Sequence, residues 1–242
     1  MLINYYFKNL FWCLFCSYLY RAKIHLYMLY IKNLVFNPIS VNTYIIYNES
    51  KDCVIIDAGN CNLREDNILF DFIEKHQLKP IMILSTHAHI DHILGNFSTS
   101  KKYDVPLAAH RDGNEYFKTA FAYASAFGIK YDADNTVFPS IELFDNQIIN
   151  IGDDELRVIH TPGHAKGSCC FYCEKQNFVI TGDTLFCRGV GRTDLPGGSY
   201  EELVDSIRER LYQLPNETVC YCGHGPETTI GDEKRNNYEI PE

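Results

Sequence analysis

The tightest constraint in this 242-residue sequence is a crowd of metal-ligating side chains: His87, His89, Asp91 and His92 fall within six residues, close behind the apolar run Ile81–Leu84. A short unbroken apolar run suits a strand buried on both faces, as in a parallel sheet covered by other layers. In the extended backbone that leaves such a strand, residues two apart point the same way, so His87 and His89 can meet one cation. Asp91 and His92 follow where the chain turns, and can reach a second. Imidazole nitrogen and carboxylate oxygen suit zinc best, with iron or manganese as alternatives.

Three further places put a ligating side chain where a β-rich run gives way to a turn: His164 in Thr161-Pro-Gly-His164, Asp183 in Thr181-Gly-Asp-Thr184 and His224 in Cys222-Gly-His224. A glycine precedes each one, letting backbone and ligand approach a shared site closely. Around these points the chain alternates. Tyr30–Phe36, Thr43–Tyr47 and Cys53–Asp57 are short β-rich runs, and Asn62–His76 switches to helical spacing with Leu63, Ile68, Leu69, Phe72 and Ile73 on one side. Pro106–Ala109 predicts a strand, and Asn114–Phe127 a helix whose aromatic side reads as core. Glu155–Ile159, Ser168–Tyr172, Asn177–Ile180 and Thr218–Tyr221 read as strands, and Tyr200–Leu211 as a helix capped by Ser199. Two β-rich halves, each finishing in helices, predict an α/β fold of two packed sheets with helices outside.

Composition narrows the function classes. A net charge of -9, from 22 basic and 31 acidic residues, excludes a nucleic-acid binder held by bulk charge. A hydrophobic content of 46% excludes disorder. Residues 1–27 stand apart, carrying Lys8, Arg21 and Lys23 and no acid. Three readings fit them: a mis-called start with translation from Met28, a short membrane anchor, or a signal segment lacking the small-residue cleavage site. Residues 28–242 then form one domain, with no membrane partner unless the front segment is an anchor.

The ten cysteines include Cys13 and Cys16 in that front segment. Cys170 and Cys173 have redox spacing, yet in a strand their odd separation sends them to opposite faces. Cys220 and Cys222 share a face just before His224, and Cys187 follows Thr184-Leu-Phe186, so either region can offer a thiol near a site. Buried thiols in a reducing cytosol are the expectation for the set, and the cytoplasm the expected location.

Taken together, Thr86-His-Ala-His-Ile-Asp-His92, Thr161-Pro-Gly-His164, Gly182-Asp-Thr184 and Gly223-His224 resemble the metallo-β-lactamase-fold hydrolases in order and spacing. Gly182-Asp-Thr-Leu-Phe186 and Gly189-Val-Gly-Arg-Thr-Asp-Leu-Pro-Gly-Gly198 look most like the glyoxalase II-like, hydroxyacylglutathione hydrolase branch. The resemblance implies a four-layer αββα sandwich and two zinc ions. His87, His89 and His164 would hold one, Asp91, His92 and His224 the other, and Asp183 would bridge them. It further implies thioester or ester hydrolysis of a small-molecule substrate by a hydroxide shared between the ions, with Asp91 and Asp183 as the catalytic carboxylates. Asp57, in Ile55-Ile-Asp-Ala-Gly59, matches a family acid that orients a histidine from behind.

The chain departs from full glyoxalase II proteins, whose additional C-terminal helical region grips glutathione, since it stops eighteen residues after His224. Position 165, often Thr in the family, is Ala here. Two other readings stay open: a mononuclear iron persulfide dioxygenase, which shares the Gly-Arg-Thr-Asp segment, and a non-catalytic metal-binding interaction module. Arg192 and Asp194 read as substrate contacts or as an internal ion pair; His25, His76, His110 and His160 read as structural. The sequence leaves oligomeric state open.

Overall fold

The computed structural model describes residues 28–124 and 132–241. The expected front segment over residues 1–27, and residues 125–127 of the expected helix, lie outside them. Six strands form the first sheet in sequence order: β1 (Tyr30–Phe36), β2 (Val41–Tyr47), β3 (Asp52–Ile56), β4 (Lys79–Ser85), β5 (Leu107–His110) and β6 (Ile141–Leu143). The next four are β7 (Ile148–Ile151), β8 (Asp154–His160), β9 (Cys169–Cys173) and β10 (Phe178–Gly182). A small hairpin, β11 (Leu185–Phe186) with β12 (Gly189–Val190), precedes β13 (Val219–Cys222) and β14 (Thr228–Thr229). The second sheet has the order β14-β13-β10-β9-β8-β7.

Side-chain parity makes the layers. Tyr44, Ile46, Val54 and Ile56 of the first sheet meet Leu156, Val158, Phe171 and Ile180 of the second in one apolar core. The alternate residues Ile45, Cys53 and Ile55 face outward onto Leu69 and Ile73 of helix Leu63–Lys75 and onto Phe117. Ile159, Cys170, Tyr172, Val179 and Cys220 cover the other outer face, against Leu203, Ile207 and Leu211. This is the αββα sandwich that the motifs imply, and period-two alternation is its cause. Cys170 and Cys173 do point to opposite faces, one in the outer core and one between the sheets. All eight cysteines among the described residues are free thiols. Among those residues, no helix is long and apolar enough to cross a membrane.

Helix Leu63–Lys75 starts where Asn62 accepts from the backbone N–H groups of Arg64 and Glu65, and helix Tyr200–Ser206 where Ser199 accepts from Glu202. The latter continues as a π-helical turn, Ile207–Leu211. The single helix expected from Asn114 is instead two short ones, Asn114–Phe117 and Ala120–Ala124. Lys118 and Thr119 donate to Glu115 and Tyr116, three residues back, so the ladder tightens and breaks between them. The pieces also divide the labour expected of one face: Phe117 is core, while Tyr116 reaches a cleft described below.

Strand direction positions the site. β3 and β4 are parallel, β10 and β13 are parallel, and β8 runs with β10 because each is antiparallel to β9. Asp57, the His87–His92 segment, His164, Asp183 and His224 therefore all follow C-terminal strand ends. The same edge joins the two sheets through His110 and His160, whose rings stack 3.8 Å apart with planes 9° apart.

Phe171 is wholly buried between the sheets. Phe171→Ala is expected to cost about 3–5 kcal/mol, read as a lower urea midpoint. Burial, with the His160 ring beside it, takes His110 down to about 4 from the ordinary 6.5. The unfolded chain thus binds a proton that the folded chain refuses, and this part of stability is complete above pH 6.5 and drains away as pH falls toward 4. Metal-stripped wild type should lose about 2 kcal/mol more than His110→Phe over that fall, by urea titration at each pH.

Candidate metal centre

Two groups of donors converge at this edge. One ligand atom each from His87, His89 and His164 lies within 4.8 Å of the others, and the same holds for Asp91, His92 and His224. Asp183 stands between the groups. Its Oδ1 is 3.3 Å from His92 Nε2, and its Oδ2 is 3.6 Å from His164 Nε2 and 3.5 Å from His224 Nε2. All seven predicted donors are therefore together, although they come from four loops.

The hydrogen bonds behind the rings decide which nitrogen faces inward. Asp57 accepts from the Thr86 backbone N–H at 2.7 Å, from the Thr86 hydroxyl at 2.7 Å and from His92 Nδ1 at 2.8 Å. Thr86 Oγ1 has then used its one proton and can only accept from His87 Nδ1, 2.9 Å away. One carboxylate so fixes two imidazoles, the second through a hydroxyl that sequence reasoning missed. His164 Nδ1 donates to the Arg192 carbonyl at 2.7 Å, and His224 Nδ1 to the Ser40 carbonyl at 3.2 Å. All four Nε2 atoms are left facing the centre. Asp57 holds its place with a left-handed backbone, φ 53, a conformation that Asp tolerates better than most residues.

This arrangement fits cations. His164 Nε2 and His87 Nε2 lie 3.2 Å apart with no proton between them, so the contact repels until a positive charge shares both lone pairs. His92 Nε2 and Asp183 Oδ1 are buried without a hydrogen-bond partner, which is costly unless something else satisfies them. Burial, then the neighbouring imidazoles, holds His87 well below the histidine range; burial takes His89 to about 3 and also lowers His164. Burial would raise Asp91 and Asp183, but the facing imidazoles outweigh it and both stay low. Burial works against charge on His92 and His224 too; there the carboxylates win and hold the rings up. His87, His89 and His164 are thus held neutral and the carboxylates ionised, as metal ligation needs, while His92 and His224 favour a proton that a binding cation would displace.

Asp57, His87 and His92 also approach within 4.8 Å, but both Asp57 oxygens are engaged with Thr86 and His92, so it supports the donors from behind. His110, Asp112 and His160 form a further such group. Their stacked rings send in-plane lone pairs along parallel lines, so they do not converge on one ion. His76, also read as structural, stacks on Phe72 at 4.3 Å.

Close packing shapes the centre. A Cβ on Gly223 would land on the Asp183 carboxylate, so only glycine allows Asp183 and His224 to stand this close. Asn42 reaches across from β2, donating its side-chain N–H groups to the Cys222 and Gly225 carbonyls on either side of the Gly223-His224 turn. No spacing rule exposes that residue. The donors open onto a cleft of about 880 Å³ that Tyr116, Phe186 and Arg192 help to line. Arg192 makes a two-pronged pair with Asp194, at 2.6 and 2.7 Å, so the internal ion pair is the arrangement found. Cys170, Cys220 and Cys222 are buried, with Cys222 pushed up to about 12 by burial, and Cys187 is partly exposed.

A family profile described as the metallo-beta-lactamase superfamily matches residues 36–224. The chain is similar to probable metallo-hydrolase YqgX of Bacillus subtilis, 37% identical over 201 residues, covering 83% of this chain and 92% of that one. It is 31% identical over 205 residues to hydroxyacylglutathione hydrolase GloC of Haemophilus influenzae, covering 81% and 91%. Among solved structures, BLEG-1 B3 metallo-beta-lactamase gives a TM-score of 0.79 at 32% identity, covering 88% of this chain and 100% of that one. TTHA1623 in a di-iron-bound form gives 0.77 at 31%, covering 86% and 100%. ETHE1 from Myxococcus xanthus gives 0.71 at 25%, covering 86% and 83%.

Thr86→Val keeps the size of the side chain but removes the acceptor for His87 Nδ1. A zinc-chelator competition titration should register roughly 10–100-fold weaker binding of the first ion, with the fold intact by circular dichroism. Unchanged affinity would contradict the role given to the hydroxyl.

Proposed function

The chain belongs to the metallo-β-lactamase superfamily, and on that premise we propose that it is a two-metal thioester hydrolase of the hydroxyacylglutathione hydrolase type. The observation that carries this is the convergence of the two donor groups with Asp183 facing both. His87, His89 and His164 would hold one ion, Asp91, His92 and His224 the other, and Asp183 both. Two divalent cations bound there, zinc in this proposal, would bring the pKa of water toward ~7 and polarise an acyl carbonyl.

The chain's own groups supply the rest. Asp91 turns Oδ2 toward His224 Nε2 at 3.2 Å and His92 Nε2 at 3.5 Å. Its Oδ1 is the proposed acceptor for the proton lost when water adds to the thioester carbonyl. A C–O bond forms, the C–S bond breaks, and the leaving sulfur takes the proton back from Asp91 and departs into the cleft as the thiol. Asp57 and Thr86 keep the imidazoles in the ligating tautomer throughout. Likeness to GloC supports the thioester, and eight free thiols among the described residues support a reducing cytosol.

Likeness to ETHE1 favours one second reading, a persulfide dioxygenase using a single iron. The complete Asp91, His92 and His224 group weighs against it, because one ion leaves those donors unserved.

Protein purified from its own host should carry two metal ions per chain and hydrolyse simple thioesters. Chelation should abolish turnover and zinc restore it, and Asp183→Ala should lower kcat/KM about 10³-fold. One iron per chain with oxygen uptake would favour the dioxygenase, and equal rates in wild type and Asp183→Ala would defeat hydrolysis at this centre.

A further inference from the structure

We infer that the cleft selects thioesters carrying an extended apolar acyl group, a refinement that rests on the thioester reading above. Most polar groups of the cleft belong to the donor set, and the hydroxyl of Thr119, which also lines it, donates to the Tyr116 carbonyl. Ile39, Ile90, Tyr116, Phe186, Leu195 and Pro196 line the rest of the cleft with hydrocarbon and aromatic surface. Gly197, at φ 88, lies directly against the Tyr116 ring, where any Cβ would strike it, so the Leu195–Gly198 loop and the Asn114–Phe117 helix close together as one wall.

Beyond the donors, Glu115 and Arg192 are the ionised side chains of the lining among the described residues, and both are already engaged within the chain. Glu115 pairs with Lys118 at 2.8 Å, and Arg192 meets both oxygens of Asp194. Groups committed to such pairs have their strongest hydrogen bonds in place. What the walls offer a substrate is therefore apolar contact area, in a cleft of about 880 Å³. A short hydroxyacyl group covers only the polar floor, whereas a longer chain removes wall and substrate surface from water together. Each additional buried methylene should raise kcat/KM about threefold to fourfold until the wall is covered.

The test is a series of acetyl, butyryl and hexanoyl thioesters, made on glutathione and again on the uncharged thiol N-acetylcysteamine. A hexanoyl-to-acetyl ratio of kcat/KM above about tenfold on both carriers is expected. A smaller ratio on either carrier overturns the apolar-acyl inference and leaves the thioester reading standing. Absence of hydrolysis across the whole panel overturns the thioester reading, and this inference with it. In Leu195→Asp the same ratio should fall at least about threefold, as burial of chain against that wall becomes unfavourable. The ratio is internal to each preparation, so a partly folded variant still answers, and an unchanged ratio contradicts the proposal.

Discussion

Lone pairs that repel one another, held together by a scaffold that outweighs their repulsion, are the interaction on which the site depends. His87 and His164 bring two unprotonated nitrogens to 3.2 Å, and Asp183 adds an ionised carboxylate beside them. Left to themselves these groups would separate or take up protons. The rings stay because they are anchored from behind: His92 by Asp57, His87 by the Thr86 hydroxyl that Asp57 holds, His164 by the Arg192 carbonyl, His224 by the Ser40 carbonyl. Free energy gained in the core goes into holding together a donor set that suits a cation.

The sandwich makes this affordable through strand direction. Strands from both sheets end at one edge, and a donor follows the end of each strand that matters. The ladders fix where these ends lie, and the apolar layer between the sheets fixes their separation. Contacts such as Asn42 to the Cys222 carbonyl and Tyr44 Oη to the same oxygen then lock the sheets at the site itself. Loops carry the chemistry while strands set its precision, and the apolar cleft above the donors belongs to the loops.

Much of this was legible in the sequence, for physical reasons. Short β-rich runs exposed, to within two positions, nine of the fourteen strands among the described residues, leaving β6, β7, β11, β12 and β14 unread. Glycine before His164, Asp183 and His224 marked close approaches. The helix from Asn62 announced itself through the spacing of Leu69, Phe72 and Ile73, and the one from Tyr200 through its Ser199 cap. What escaped was whatever depends on tertiary context. Helix Asn96–Tyr103 buries Asn96 and Thr99, so its sequence lacks an apolar stripe. β6 has three residues and no periodicity to read. Phe117 and Tyr116 look alike in a sequence, yet Phe117 is wholly in the core while Tyr116 sits at its edge and lines the cleft. Thr86 and Asn42 act through partners twenty-nine and about one hundred and eighty residues away, a distance no local pattern spans.

Anomalous scattering from crystals of the zinc-loaded protein tests the central claim most directly. Two peaks are expected, one within about 2.1 Å of nitrogens from His87, His89 and His164, the other at similar distances from Asp91, His92 and His224, with an Asp183 oxygen reaching both. A single peak, or zinc bound away from these side chains, would contradict the account.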